Sequence, residues 1–427
     1  MKKLLILLII INLFACQEES KQSELIHLKL TEIDSYGPFE KRFGFLDWTP
    51  LTEKGIWGNT EVETTGTPKN WTKSNVTQVW FDAHQFAYQN YKQGNLSDEF
   101  FNDLKVSWKI DLNKRKLSEK PINCFVHVAI GKNQNDELEY IIDTNYDNDF
   151  SDEQILKPTP RAFELDYQKL IDNSKSVVAQ ISTNNGIKEK EIKILVLSTS
   201  DGDLIYNFPK IAETFYQENR ILVSNGFSNL TYDDKSLIAI DNESVEFVDF
   251  NEFIEIDNKL YKNLGVDINS NELRLQEMPK DTILYSSRVG FNAKPFAVKQ
   301  LVSNDSLNLN FFQDKLLYLE FWGTWCAPCI NEIPNLKKAY DETDRNDVEF
   351  LGVAVFDTKE KLKSAIEKYE INWPQVLDTD SDKFKENYNV TGYPTSFLID
   401  KKGKIIAKNL RGEKLLDTLN YYLKETK

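Results

Sequence analysis

Cysteine, histidine and positive charge are all scarce in this sequence. Four cysteines in 427 residues are too few for a disulfide-stapled scaffold, in which several bridges stand in for a core. Lysine and arginine number 52 against 67 acidic residues, a formal charge of −15. That balance argues against nucleic acid as a partner, because a phosphate-binding surface needs a basic patch. Long apolar runs are missing after the first fifteen residues, so no later segment is expected to cross a membrane. What remains, 41% hydrophobic and 28% charged, is ordinary globular material in a chain long enough for two or three domains.

The start of the chain is different. Lys2 and Lys3 precede an apolar run from Leu4 to Phe14, followed by Ala15 and Cys16. The run is too short to span a bilayer and has the layout of a secretory signal peptide. Leu13-Phe14-Ala15-Cys16 resembles a bacterial lipobox, with Phe14 where a small or β-branched residue is usual. This reading makes residues 1–16 a lipoprotein signal ending at a lipid-bearing Cys16. Residues 17–24 are then an acidic tether, and the mature protein is exported to the cell envelope, facing the periplasm or the cell surface. A simple signal peptide cut near Ala15 is the alternative.

Residues 25–160 read as a mixed helix and β region. Val76–Tyr91 has helical spacing, and Ser97 is placed to cap a second helix. Ile122–Ile130 and Leu138–Ile142 look like a hairpin, with Cys124 as a buried small apolar residue. Between Asp143 and Glu153 oxygen-bearing side chains alternate as in a calcium loop. Asn148 stands where a glycine would permit the turn, and Gln154 replaces the bidentate glutamate. A polar turn is the simpler reading. Pro158 and Pro160 mark a boundary, and the short β-like runs that follow make residues 161–280 a β-rich domain. Met278-Pro279 marks the next boundary.

Residues 281–427 alternate. Leu316–Phe321 is an apolar strand and Ala327–Tyr340 a helix; Val348–Phe356 is a strand and Lys359–Tyr369 a helix. Thr395–Ile399 and Lys404–Ala407 pair about Lys402-Gly403, and Leu415–Leu423 closes the chain as a helix. That order implies an α/β domain with a mixed central sheet and helices on both faces.

The chemistry lies in Trp322-Gly323-Thr324-Trp325-Cys326-Ala327-Pro328-Cys329, which passes from strand through a turn into a helix. Two cysteines three apart at a helix start are close enough for a disulfide. The first has its sulfur beside unpaired backbone N–H groups and the positive end of the helix dipole. Such motifs commonly bring a thiol from about 8.5 to roughly 3.5–7.5. Cys326 is therefore the expected nucleophile and Cys329 the residue that resolves the mixed disulfide. Zinc sites share this spacing, but no second pair exists and His27, His84 and His127 lie far upstream, so structural zinc is not expected. Exchange also suits the pair and its flanking tryptophan better than peroxidase chemistry does.

From about Val289 onward the chain resembles the thioredoxin-like TlpA/ResA family of exported bacterial disulfide reductases. The resemblance rests on the Trp-Cys-Ala-Pro-Cys core, Pro334 in the following helix, and Gly392-Tyr393-Pro394-Thr395 before a hairpin strand. It implies a thioredoxin-like fold and no cofactor beyond a redox-active Cys326–Cys329 disulfide. It puts Pro394 in the place of the cis-proline beside the pair. Glu320 falls where thioredoxins carry a buried acid, and Glu332 where ResA-like proteins carry a glutamate. Either could accept the proton of Cys329 if desolvated. The plainer readings are a strand-end charge for Glu320 and a solvated helix surface for Glu332. A lipobox, β-rich upstream domains and this module together look like Bacteroidetes-type lipoproteins. The implied function is a lipid-anchored reductase of disulfides in exported proteins, recharged by a membrane electron donor. An oxidase or isomerase is the alternative direction. A binding lipoprotein whose residues 25–280 capture a ligand, with the redox module accessory, is the rival class.

Overall fold

The computed structural model describes residues 24–425 apart from 163, 227–229, 235, 242–245, 281, 304 and 380–382. The expected signal segment, the lipid-bearing Cys16 and the tether up to residue 23 lie outside the described residues. The chain divides into two units at Pro279/Lys280.

The first unit is built on mainly antiparallel sheets whose strands come from both sides of residue 160. Leu25–Lys29 pairs with Glu272–Glu277, and Thr31–Ile33 pairs with Ile211–Tyr216. Gly44–Leu46 pairs with Leu204–Asn207. One core collects Val79, Phe81 and Val128 together with Ile192, Ile194 and Leu204. The expected boundary at Pro158 and Pro160 therefore does not divide this region into 25–160 and 161–280. Thr159–Pro160 instead forms a two-residue strand at the edge of the sheet through Gly186–Ser198, a position where a missing N–H is tolerated.

The expected helix over Val76–Tyr91 is half right. Lys73–Trp80 is a strand paired antiparallel with Phe125–Lys132, and the helix runs only from Ala83 to Lys92. Thr77 and Val79 are buried on alternate positions of that strand, and β-branched residues pack well on a pleated surface. Asp82 starts the helix by accepting a hydrogen bond from the Gln85 N–H. Ser97 caps the helix Asp98–Ser107 as expected. Cys124 is a buried free thiol.

In the loop from Asp143 to Glu153 the oxygens serve the loop itself. Asp143 accepts from the Asn148 N–H, Asp149 from Ser151, and Glu153 from the Thr144 hydroxyl. Among the described residues no cluster of His, Cys, Asp and Glu is arranged to hold a metal ion.

The second unit has a five-stranded mixed sheet. Short strands precede it, Tyr285–Ser286 pairing with Asn292–Ala293 and Ala297–Lys299 with Ser306–Asn308; the sheet and its helices then follow in chain order as β1 (Leu316–Trp322), α1 (Ala327–Asp341), β2 (Val348–Ala354), α2 (Lys359–Tyr369), β3 (Gln375–Leu377), α3 (Phe384–Asn387), β4 (Thr395–Ile399), β5 (Ile405–Lys408) and α4 (Glu413–Glu425). The strand order is β3-β2-β1-β4-β5. β1, β2 and β3 are parallel, and β4 runs antiparallel to both β1 and β5. Every residue of β1 is buried, as a central strand covered on both faces requires. Its alternation feeds two cores. Leu316, Tyr318 and Trp322 pack with Leu336 of α1, Leu362 of α2 and Leu415 of α4. Leu317, Leu319 and Phe321 pack with Phe384 of α3. The C-terminal unit is thus the expected α/β fold, with helices on both faces of a mixed sheet.

Candidate active site

β1 runs straight into the redox turn, and neighbouring elements fix each residue of that turn. The Trp322 indole N–H donates to Gln375 Oε1 at 2.9 Å from β3. The Thr324 N–H and hydroxyl both donate to Asp357, each at 2.7 Å. The Trp325 indole N–H donates to the Val355 carbonyl at 3.0 Å. Trp325 folds back so closely that a side chain at Gly323 would meet its ring at 2.5 Å. Cys326 is then the N-cap of α1, and Pro328 sits in the first turn, where its missing N–H costs nothing.

Cys326 and Cys329 form a disulfide with their Cα atoms 5.2 Å apart. Cys326 Sγ accepts from the Cys329 N–H at 3.3 Å, so the helix start presents N–H groups to the sulfur that would carry the charge once the bond is reduced. Both cysteines are buried, Cys329 more deeply. Around them lies an apolar rim. Trp325 is 53% and Phe356 68% exposed, and Tyr393 meets both rings, at 5.5 and 6.2 Å between centroids. The Tyr393–Pro394 peptide is cis. Tyr393 also packs against the cluster that holds the two cysteines, which brings the loop before β4 to the redox turn.

Glu320 and Glu332 are both buried. Glu320 shares the face of β1 with Tyr318 and Trp322, two residues to either side, because side chains alternate along a strand; that is the face covered by α1. Burial, helped by the charge of Glu332, pushes the Glu320 carboxyl up to about 8 against the opposing charge of Arg411. Glu332 turns inward from α1, accepting from the Gly412 N–H at 2.6 Å and from the Asn335 side-chain amide at 3.2 Å. Glu332 is therefore not on a solvated helix surface, and Glu320 is buried within the central strand.

Arg411, Gly412, Asp357 and Gln375 escaped the sequence reading. Arg411 donates to the Pro394 carbonyl at 2.5 Å. The partners of Gly412, Asp357 and Gln375 lie 80, 33 and 53 residues away in the chain, and no local pattern links such positions. The one usable signal was the Arg411-Gly412 pair immediately before a closing amphipathic helix.

A mixed sheet that delivers a cysteine pair to a helix start, with a cis-proline loop beside it, defines a thioredoxin-like thiol-disulfide oxidoreductase. The AhpC/TSA family model matches residues 289–408. The thiol-disulfide oxidoreductase ResA of Bacillus thuringiensis is 34% identical over 137 residues, which are 32% of this chain and 78% of that protein. ResA of Geobacillus thermodenitrificans is 32% identical over 139 residues, 33% of this chain and 78% of that protein. The solved thioredoxin domain of a thiol-disulfide oxidoreductase from Bacteroides vulgatus is 32% identical and covers 32% of this chain and 97% of that one, with a TM-score of 0.30. The chain belongs, through its C-terminal unit, to the ResA thiol-disulfide oxidoreductases.

Proposed function

We propose that Cys326 and Cys329 act as a dithiol that reduces disulfides of other exported proteins, in a chain tethered to the cell envelope by lipid on Cys16. The observation that carries this reading is the Cys326–Cys329 pair at the start of α1, with the exposed rings of Trp325 and Phe356 and the cis Tyr393–Pro394 loop beside it. In reduction, the Cys326 thiolate attacks a substrate disulfide; one substrate sulfur leaves as a thiolate and a mixed disulfide remains. Cys329 passes its proton to ionised Glu320, attacks Cys326 Sγ and expels the second substrate sulfur. Two electrons move to the substrate and the Cys326–Cys329 disulfide is left behind. The rim of Trp325, Phe356 and Tyr393 offers an apolar landing surface for the substrate chain. A membrane electron donor returns two electrons and two protons to the pair.

The test is the reduction potential of the pair in lipid-free protein, equilibrated against glutathione or dithiothreitol buffers. A value near or below about −250 mV supports an electron donor, whereas one near about −120 mV marks a disulfide-forming oxidant. Mass spectrometry of the membrane-extracted protein tests the anchor: diacylglycerol on Cys16 is expected, and its absence from intact mature chains overturns it. The cleft of about 960 Å³ in the first unit, lined in part by Lys105, Lys109, Asp234 and Arg274, favours a second reading. In that reading the upstream unit captures a ligand and the redox unit is accessory.

A further inference from the structure

The segment that leaves β2 is pinned to the redox turn on both sides of one residue. The Val355 N–H donates to the Trp322 carbonyl at 2.9 Å, and the Val355 carbonyl accepts from the Trp325 indole. Asp357, two residues on, accepts both donors of Thr324. Phe356 lies between these anchors at a φ of +51°. Bulky residues rarely adopt that left-handed backbone, and it persists only where the surroundings impose it. Phe356 gains little burial in return, for it stays 68% exposed. The rings of Trp325 and Tyr393 stand 6.3 and 6.2 Å from its ring, between centroids. An asparagine would hold the same φ more easily. A strained backbone, fixed by the redox turn itself, thus keeps an unburied ring at the mouth of the site.

We infer that Phe356 is a specificity-determining residue for disulfide exchange, forming with Trp325 and Tyr393 a cup for an apolar side chain next to the substrate cysteine. The inference rests on the exchange reading above and names the class of substrate, disulfides set in apolar sequence. A substrate sulfur has to reach Cys326, which Trp325 precedes in the chain and whose cluster Tyr393 packs against. The residue beside that sulfur therefore comes against these rings. The cation nearest the cup is Lys385, whose Nζ lies over the Phe356 ring at 5.0 Å from the centroid. It is already paired, with Glu386 at 2.7 Å and Asp378 at 3.8 Å. The cup accordingly offers apolar area rather than free charge, and an apolar side chain gains most by leaving water there. The bond exchange itself is unchanged: the Cys326 sulfur bonds to one substrate sulfur, the substrate S–S bond breaks, and the other sulfur leaves as a thiolate. Phe356 takes no part in that step and acts on which substrate reaches the pair.

The experiment uses the full-length lipid-free protein, reduced and freed of reductant. It is mixed with two disulfide-bonded peptides of equal length and charge, the cysteine flanked by leucine in one and by serine in the other. Wild type is expected to react about tenfold faster with the leucine peptide. Phe356→Asn should remove that preference and Phe356→Tyr, which keeps the ring, should restore it. The melting temperature of Phe356→Asn should be at or above that of wild type, since the left-handed φ suits asparagine. If the asparagine variant does not fold, Phe356→Gly takes its place. A preference absent from wild type, a preference that survives in Phe356→Asn, or a clear loss of stability in that variant overturns the assignment. Should wild type reduce neither peptide, the exchange reading fails. Thioether-bridged analogues of the two peptides are then titrated onto the oxidised protein, followed by the Trp325 indole NMR signal, assigned by its loss in Trp325→Phe. Tighter binding of the leucine analogue that disappears in Phe356→Asn supports the cup, and equal binding of the two overturns it.

Discussion

At the scale of single residues, the two cysteines differ in depth and in their place at the helix start, Cys326 at the N-cap and Cys329 one turn in and more buried. Cys329→Ser should therefore accumulate a mixed disulfide through Cys326, seen as a mass increase after incubation with a disulfide-bonded peptide. Cys326→Ser should form none, and a trapped adduct on Cys329 instead would reverse the assignment. Glu320 adds a pH dependence. Its folded value, about 8, lies above the ordinary 4.5, so the native state keeps a proton that the unfolded chain has already lost. The stability tied to that proton is whole below about 4.5 and lost as pH rises through about 8, a difference on the order of a few kcal/mol. The melting temperature of the oxidised protein should accordingly drop more between mildly acidic and alkaline pH in wild type than in Glu320→Gln. Equal slopes would mean that this carboxyl is not desolvated. The sequence named Glu320 and Glu332 as candidates through the family resemblance, but position along a chain carries no information about desolvation.

At the scale of elements, buried polar contacts decide what the apolar pattern leaves open. Asp82 caps a helix while fully buried. Burial raises its carboxyl, but Arg115, in charge and hydrogen bond, holds it below the usual carboxylate range. Arg115 also donates to the Ser182 carbonyl at 2.8 Å. Arg115→Met should cost about 3–5 kcal/mol in denaturant unfolding, because it strands a buried charge; a loss within error would show that Asp82 finds water instead. In the second unit, a Cβ at Gly352 would come within 2.2 Å of the Gln375 amide, which accepts from Trp322 under the redox turn. Gly352→Ala should displace that amide and cost about 1–3 kcal/mol, with a change in tryptophan fluorescence as the companion signal. Element type was readable where a short apolar run or one periodicity stood by itself, as in β1 and α2. It failed over Val76–Tyr91, where a strand meets a helix and the apolar spacing of the two merges into one helical-looking series.

At the scale of the whole molecule, the redox site lies within the unit from Lys280 to Lys427. Expressed alone, that unit should keep the insulin-disulfide reduction of the full chain to within a few-fold. A loss of activity together with ligand binding by the upstream unit would favour the capture reading. The sequence by itself determined the cysteine pair, its helix start and the strand–helix order around it, because those follow from neighbours a few residues apart. It also carried the motifs that mark the ResA family. Only the tertiary structure decided that strands from both sides of Pro160 share sheets, that Glu320 and Glu332 are buried, and that Arg411 and Gly412 reach Pro394 and Glu332. Those facts depend on which distant groups share a desolvated space, and pairing across tens of residues leaves no periodic trace in the chain.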